Sequence, residues 1–242
     1  MGAPGPTEPR EREDLPPPFP ALVLTFQRLR DSILPRVLGP LVPGAVVRGP
    51  THSASRPCLY LTVDDGPDES GTRAWLDALD RHAAQAVFFL SAGPADAHPD
   101  LVREIVDRGH RVGSHGGAHV SGWRTRPGGV RAAFERSERV LEALAGGPVR
   151  DVRPPYGRVT PGLVRWARAG GRRIVLWDVM PGDFLPSRTP DALAREILAL
   201  ARPGAILALH DGPPAARAVA ALDRALPRLA AAGWRFPALP AP

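Results

Sequence analysis

From residue 58 onward, two patterns of hydrophobic and polar positions alternate along the chain. Short runs of aliphatic, β-branched and aromatic residues occupy 59–63, 86–90, 111–114, 151–153, 173–177, 205–209 and 234–239. Between them, apolar residues recur at three- and four-residue spacing over about 72–83, 99–109, 128–145, 161–170, 190–202 and 214–232. The first pattern predicts strands and the second amphipathic helices. Strand alternating with helix predicts an α/β fold on a parallel sheet. About seven such strands either close as a distorted (β/α) barrel or stay open as a doubly wound sheet. The glycine fingerprint that dinucleotide-binding sheets carry after their first strand is absent.

The first 57 residues read differently. Residues 1–18 are rich in Pro, Gly and charge and end in Pro16-Pro17-Pro18, which predicts a disordered lead-in. Residues 19–57 read as an N-terminal helix and linker, with an apolar-and-Arg helix over 19–38 interrupted by Pro35 and Pro40. Such a helix caps the domain or makes peripheral contact with a membrane surface. The first apolar run follows Glu11, Glu13 and Asp14, the wrong charge for a signal peptide. No run reaches the ~20 apolar residues of a spanning helix. A cytoplasmic location is therefore the default expectation. The catalytic domain is expected over 58–242.

Composition narrows the chemistry. The net charge is +6, and all 31 basic residues are Arg. Without lysine, neither Schiff-base catalysis nor a lysine-dependent phosphate loop is available. The arginines are spread along the chain and accompany no reader motif, so no nucleic-acid partner is expected. The single cysteine, Cys58, begins an apolar run and reads as a buried side chain.

Parallel α/β folds collect their active sites at the C-terminal ends of strands. Five predicted strands end in ionisable groups: Asp64-Asp65 before Gly66-Pro67; His115 and then His119; Arg153 before Pro154-Pro155; Asp178 with Asp183 behind it; and His210-Asp211. Singly, each has an ordinary explanation. Two aspartates can cap a turn, and a histidine closing an apolar run can be a satisfied core residue. Together they share one predicted rim. Adjacent aspartates leaving a strand diverge, so one can bind metal while the other takes a proton. One aspartate with His115 and His119 makes a three-ligand set with an open fourth position, as in catalytic zinc sites. Gly116 and Gly117 require a tight turn, not a helix, to bring the histidines together.

Five segments carry a family resemblance: Thr62-Val63-Asp64-Asp65-Gly66-Pro67, His115-Gly116-Gly117-Ala118-His119, Arg153-Pro154-Pro155-Tyr156-Gly157, Asp183-Phe184 and Leu207-Ala208-Leu209-His210. In order, they resemble the five motifs of the NodB-like polysaccharide deacetylases, also called carbohydrate esterase family 4, over about residues 58–240. The resemblance implies a distorted (β/α) barrel and one divalent metal ion, usually zinc, held by Asp65, His115 and His119. It implies Asp64 as general base, His210 as general acid, Arg153 as the partner that orients Asp64, and Asp183 as the partner of His210. The Tyr156 N–H would assist the oxyanion, Leu207 would line the acetyl pocket, and Phe184 would wall the sugar site.

The chain departs from the family pattern at Gly116, Met180, Phe184 and Thr160, where a hydroxyl residue, Asp, Trp and Asn are usual. These departures bear on substrate identity and touch no implied ligand, base or acid. The expected activity is removal of N-acetyl groups from an amino-sugar carbohydrate, releasing acetate. Alternatives are an O-acetyl esterase with the same site, a catalytically weak carbohydrate-binding relative, and a barrel amidohydrolase acting on small amides.

Overall fold

The computed structural model describes residues 42, 44–53, 55–117 and 129–242. Its strands are β1 (Ala45–Val46), β2 (His52–Ser53), β3 (Arg56–Pro57), β4 (Leu59–Asp64), β5 (Ala86–Leu90), β6 (Arg111–Ser114), β7 (Asp151–Val152), β8 (Arg173–Val175) and β9 (Ala205–His210). The helices are α1 (Thr72–Arg81), α2 (Ala92–Ala97), α3 (Pro99–Asp107), α4 (Gly129–Ala145), α5 (Pro161–Ala169), α6 (Pro190–Leu200) and α7 (Ala215–Ala231).

Seven strands form one sheet in the order β1-β8-β7-β6-β5-β4-β9, and every neighbouring pair is parallel. The sheet curls until its edges meet. Arg48, just past β1, bridges Ala205 of β9, and Val179, beyond β8, bridges Leu207. Of the two arrangements that the strand count allows, the fold observed is the distorted (β/α) barrel, as the family resemblance implies.

Side-chain alternation gives the barrel two cores. Leu59, Leu61 and Val63 of β4, Phe88 of β5, and Leu207 and Leu209 of β9 pack outward against the helices. Tyr60, Val87, Phe89, Ile206 and Ala208 fill the interior together with Trp177. Period-two alternation puts Asp64 on the interior face with Tyr60, and His210 with Ala208. Helix starts follow local chemistry. Pro161 and Pro190 open α5 and α6, where a missing N–H costs nothing. The hydroxyls of Thr160 and Thr189 accept from Leu163 N and Ala192 N at 3.2 Å, capping each helix.

The structure corrects the predicted elements, and the stretch read as linker also holds the β2–β3 pair. The segment 234–239 is not a strand. Pro237 cannot donate to a ladder, and only Arg235 bridges Cys58. The seventh strand is instead β1, inside the stretch read as linker. At two residues it is too short to show a period. The helix α2 was unforeseen because Ala92–Ala97 carries Gly93, Pro94 and little apolar contrast. The segments 1–18 and 19–38 lie outside the described residues. Among the described residues, no helix is long and apolar enough to cross a membrane.

Candidate active site

The chemistry gathers at the C-terminal rim. Asp64 ends β4 and His210 ends β9, and the two are direct partners in the parallel register. His115 follows β6 and Arg153 follows β7. Main-chain bonds lace these strand ends together: Ser91 N to Gly66 O at 3.0 Å, His115 N to Leu90 O at 2.8 Å and Arg153 N to Ser114 O at 2.8 Å.

Arg153 is fully buried. Its Nη1 donates to Asp64 Oδ1 at 2.6 Å and to Thr62 Oγ1 at 2.7 Å. Nε and Nη2 reach the carbonyls of Val175 at 3.1 Å and Leu176 at 3.0 Å. The guanidinium carbon lies 4.1 Å from the centre of the Phe89 ring, a geometry that favours a cation. Burial pushes the guanidinium pKa down, and the Asp64 carboxylate opposes that shift. The pairing leaves Asp64, itself 2% exposed, fixed through one oxygen.

Asp183 grips His210 with both oxygens. Oδ1 is 2.9 Å from Nδ1, and Oδ2 accepts from the backbone N–H at 2.8 Å. Arg217, in the first turn of α7, donates to the Asp183 carbonyl from Nε at 3.1 Å and Nη2 at 2.7 Å. Burial pulls the imidazole pKa down. The charge and hydrogen bond of Asp183, with Asp64 and Asp65 behind them, outweigh it and bring the pKa to about 9. The Phe184 ring meets the imidazole edge-on at 5.2 Å.

Asp65 adopts a left-handed backbone, φ 75°. That swings its carboxylate away from the direction taken by Asp64. Its Oδ1 stands 3.3 Å from His115 Nε2. An ion with tetrahedral bonds of about 2.0–2.2 Å separates neighbouring donors by about 3.3–3.6 Å. A carboxylate and an imidazole at this spacing therefore fit a divalent metal. His119, the third implied ligand, lies outside the described residues. Among the described residues, no three such donors stand together.

Tyr156 sits in a short 3-10 turn, Pro155–Gly157, with φ 59°. A left-handed backbone is costly for an aromatic residue. The residue is 57% exposed, the one exposed large hydrophobic residue among the described residues. The Arg158 guanidinium lies 5.2 Å from the ring centre. Next to it, Gly157 has φ 64°, and a Cβ there would stand 2.8 Å from the Trp177 ring. The turn after Arg153 is thus seated directly on the interior aromatic core.

A family model described as polysaccharide deacetylase matches residues 51–175, just over half the chain. The chain belongs to the polysaccharide deacetylase family. A peptidoglycan-N-acetylglucosamine deacetylase of Bacillus cereus is 32% identical over 194 residues, covering 79% of this chain and 69% of that protein. A chitooligosaccharide deacetylase of Sinorhizobium fredii is 35% identical over 205 residues, covering 79% and 94%. Among solved structures, a peptidoglycan N-acetylglucosamine deacetylase superposes with a TM-score of 0.77 at 31% identity, covering 81% of this chain and 91% of that one. Membership makes the chain a carbohydrate deacetylase, a hydrolase of carbon–nitrogen bonds other than peptide bonds.

For this polysaccharide deacetylase, one expected position is corrected. Leu207 is fully buried in the outer core with Leu61 and Val63. Strand alternation turns it away from His210, so it cannot line a pocket beside that residue. Ala208 holds the interior position two before His210. Asp178 points away from the rim chemistry into ion pairs with Arg48, at 3.1 Å, and Arg202. The chain has crossed to β9 there, with Asp178 N donating to Ile206 O at 2.9 Å. Met180 is buried in the interior core, where the family's usual Asp would have been polar. Thr160 caps α5 through its hydroxyl, a role open to Asn as well.

Two supporting residues were missed from sequence. Thr62 gave a signal, as a lone polar residue at the interior period of an apolar strand. Arg217 gave none, because its partner is a main-chain carbonyl.

Proposed function

We propose that the protein hydrolyses the N-acetyl group of an amino-sugar glycan, with one divalent metal held by Asp65, His115 and His119. The observation that carries this reading is the pair of clamped groups at adjacent register positions. Asp64 is compensated by buried Arg153, and His210 is gripped by Asp183. Asp65, next to Asp64 in the chain, faces His115 at 3.3 Å. A divalent ion held there, zinc foremost, would supply Lewis acidity, lowering the pKa of a water towards about 7 and polarising a carbonyl.

The side chains divide the proton work. Arg153 engages Asp64 Oδ1, so Oδ2 takes the proton from the attacking water. His210 Nδ1 is committed to Asp183, so Nε2 delivers a proton to the amide nitrogen as its bond to the acetyl carbon breaks. An unprotonated amine leaves poorly, which is why the reaction needs an acid as well as a base. A histidine pKa near 9 keeps that proton in place at neutral pH. The Tyr156 N–H, presented by its strained turn, assists the oxyanion, and Phe184 walls the sugar beside His210. N-acetylglucosamine oligomers are the substrate class closest to those named for the relatives.

The test is acetate release from chitooligosaccharides and from acetylated xylan, each with added zinc and after chelation. Equal amounts of acetate and free amine from the first substrate, abolished by chelator, are expected. Acetate from xylan alone would make the protein an O-acetyl esterase. Turnover of neither, with oligosaccharide binding retained, would make it a binding relative.

A further inference from the structure

Asp211 follows His210, is 2% exposed and has no part in the chemistry above. Its backbone N–H donates to the carbonyl of Asp64 at 2.9 Å. Its side chain reaches across to the loop that follows β4. Oδ2 accepts from the hydroxyl of Thr72, the first residue of α1, and Oδ1 accepts from Gly212 N at 2.8 Å. The same Thr72 oxygen accepts from Asp68 N at 2.8 Å, so one hydroxyl ties the loop to the carboxyl.

The fit is close on both sides. A Cβ on Gly66 would stand 2.6 Å from Oδ2, and one on Gly71 would overlap Oδ1. The carboxyl thus fills a notch between two main-chain segments that bracket the loop. Burying a carboxylate is costly, and this one is met by a hydroxyl and an N–H. A loop that only needed packing would be filled by an apolar side chain. What this loop must maintain is the left-handed backbone of Asp65, a conformation that persists only when its surroundings over-determine it.

We propose that Asp211 is a positioning residue. Bonded to Thr72 and pressed against Gly66, it fixes the Asp64-Asp65-Gly66 turn relative to His210, and so sets metal affinity and the spacing of base and acid. The metal, base and acid assignments it serves rest on the function proposed above. Side chains that hold ligands in place in this way typically govern metal affinity or activity by 10–100-fold.

The test is zinc titration of the metal-free protein by calorimetry, beside kcat and KM on chitooligosaccharides and the melting temperature without metal. Thr72→Val removes the hydroxyl at nearly constant shape. It is expected to weaken zinc binding about tenfold or more and to lower kcat about tenfold, with KM within about twofold. Thr72→Ser restores the hydroxyl and is expected to bring both values back to within about twofold of wild type. Gly71→Ala pushes a methyl onto Asp211 Oδ1 and gives an independent reading, with the same expected losses. Zinc affinity unchanged in Thr72→Val and Gly71→Ala overturns the inference. So does a Thr72→Ser protein as defective as Thr72→Val. If the wild-type protein releases no acetate, the proposed function fails, and the zinc titrations still decide the role of Asp211.

Discussion

Arg153 has no exposed surface, and Asp64 meets its charge at 2.6 Å. Removing one partner of a buried pair leaves the other charge uncompensated, which costs about 3–5 kcal/mol. Arg153→Leu is therefore expected to lose about that much stability in urea denaturation. A loss below about 1 kcal/mol would mean that the pair contributes no more than an exposed ion pair. His210 has the opposite sense. Its pKa in the folded protein, about 9, lies above the ordinary 6.5, so the folded state holds the proton more tightly. The resulting stabilisation is complete below pH 6.5 and is lost as pH rises through about 9. Asp183→Asn should move the alkaline limb of the rate profile to lower pH by about one unit or more, with zinc content unchanged. An unmoved limb together with lost zinc would make Asp183 a metal ligand.

At the scale of elements, the end of α3 carries a pH dependence unconnected with catalysis. His110 precedes β6, is 5% exposed, and packs its ring 5.6 Å from that of Phe88. Neither ring nitrogen has a hydrogen-bond partner among the described residues. Burial lowers its pKa, Asp80 opposes the shift and Arg108 adds to it. Unfolding exposes the ring and lets it bind a proton, so this contribution is full above the ordinary pKa and is lost as pH falls below it. Stability should decline by up to ~1.4 kcal/mol per pH unit on that account. His110→Phe should flatten the decline between pH 6.5 and 5 in chemical denaturation series. An unchanged slope would place the dependence elsewhere.

The same elements mark what was legible in the sequence. β4, β5 and β9 carry enough apolar residues to be read, and the final residues of β4 and β9, Asp64 and His210, announce the site. β1 is two residues long and shows no period. The segment 234–239 has strand-like composition, but Pro237 denies it a ladder. The place implied for Leu207 conflicts with strand alternation, which sends residues three apart, Leu207 and His210, to opposite faces. Asp178 stands at the right place in sequence and the wrong place in space, because the chain crosses to β9 after Val175. Asp211 gave no sign of its role, since its partners, Thr72 and the two glycines, are more than 130 positions away in the chain.

At the scale of the whole molecule, the C-terminal segment closes the end of the barrel opposite the site. Leu239 is buried in the interior core and Phe236 in the outer one. Gln85 N donates to Phe236 O at 2.8 Å, Arg173 Nη2 to Pro240 O at 2.7 Å, and Arg111 to Leu239 O. Those two arginines also pair with Asp151, whose carboxylate is fully buried. Each buried apolar side chain is worth about 1.5–3 kcal/mol. A chain ending at Trp234 should therefore lose about 3 kcal/mol or more, seen as a lower urea midpoint. An unchanged midpoint would mean that the segment is only apposed to the barrel.

The proposed metal-dependent deacetylation depends most heavily on Asp64 as its base. The most direct test is kcat for acetate release from chitooligosaccharides by zinc-loaded wild type and Asp64→Asn, with zinc content measured on the same samples. A fall in kcat of about 10²–10⁴-fold is expected, with zinc retained and the circular dichroism spectrum unchanged. An Asp64→Asn protein with intact zinc and kcat within a few-fold of wild type would contradict it.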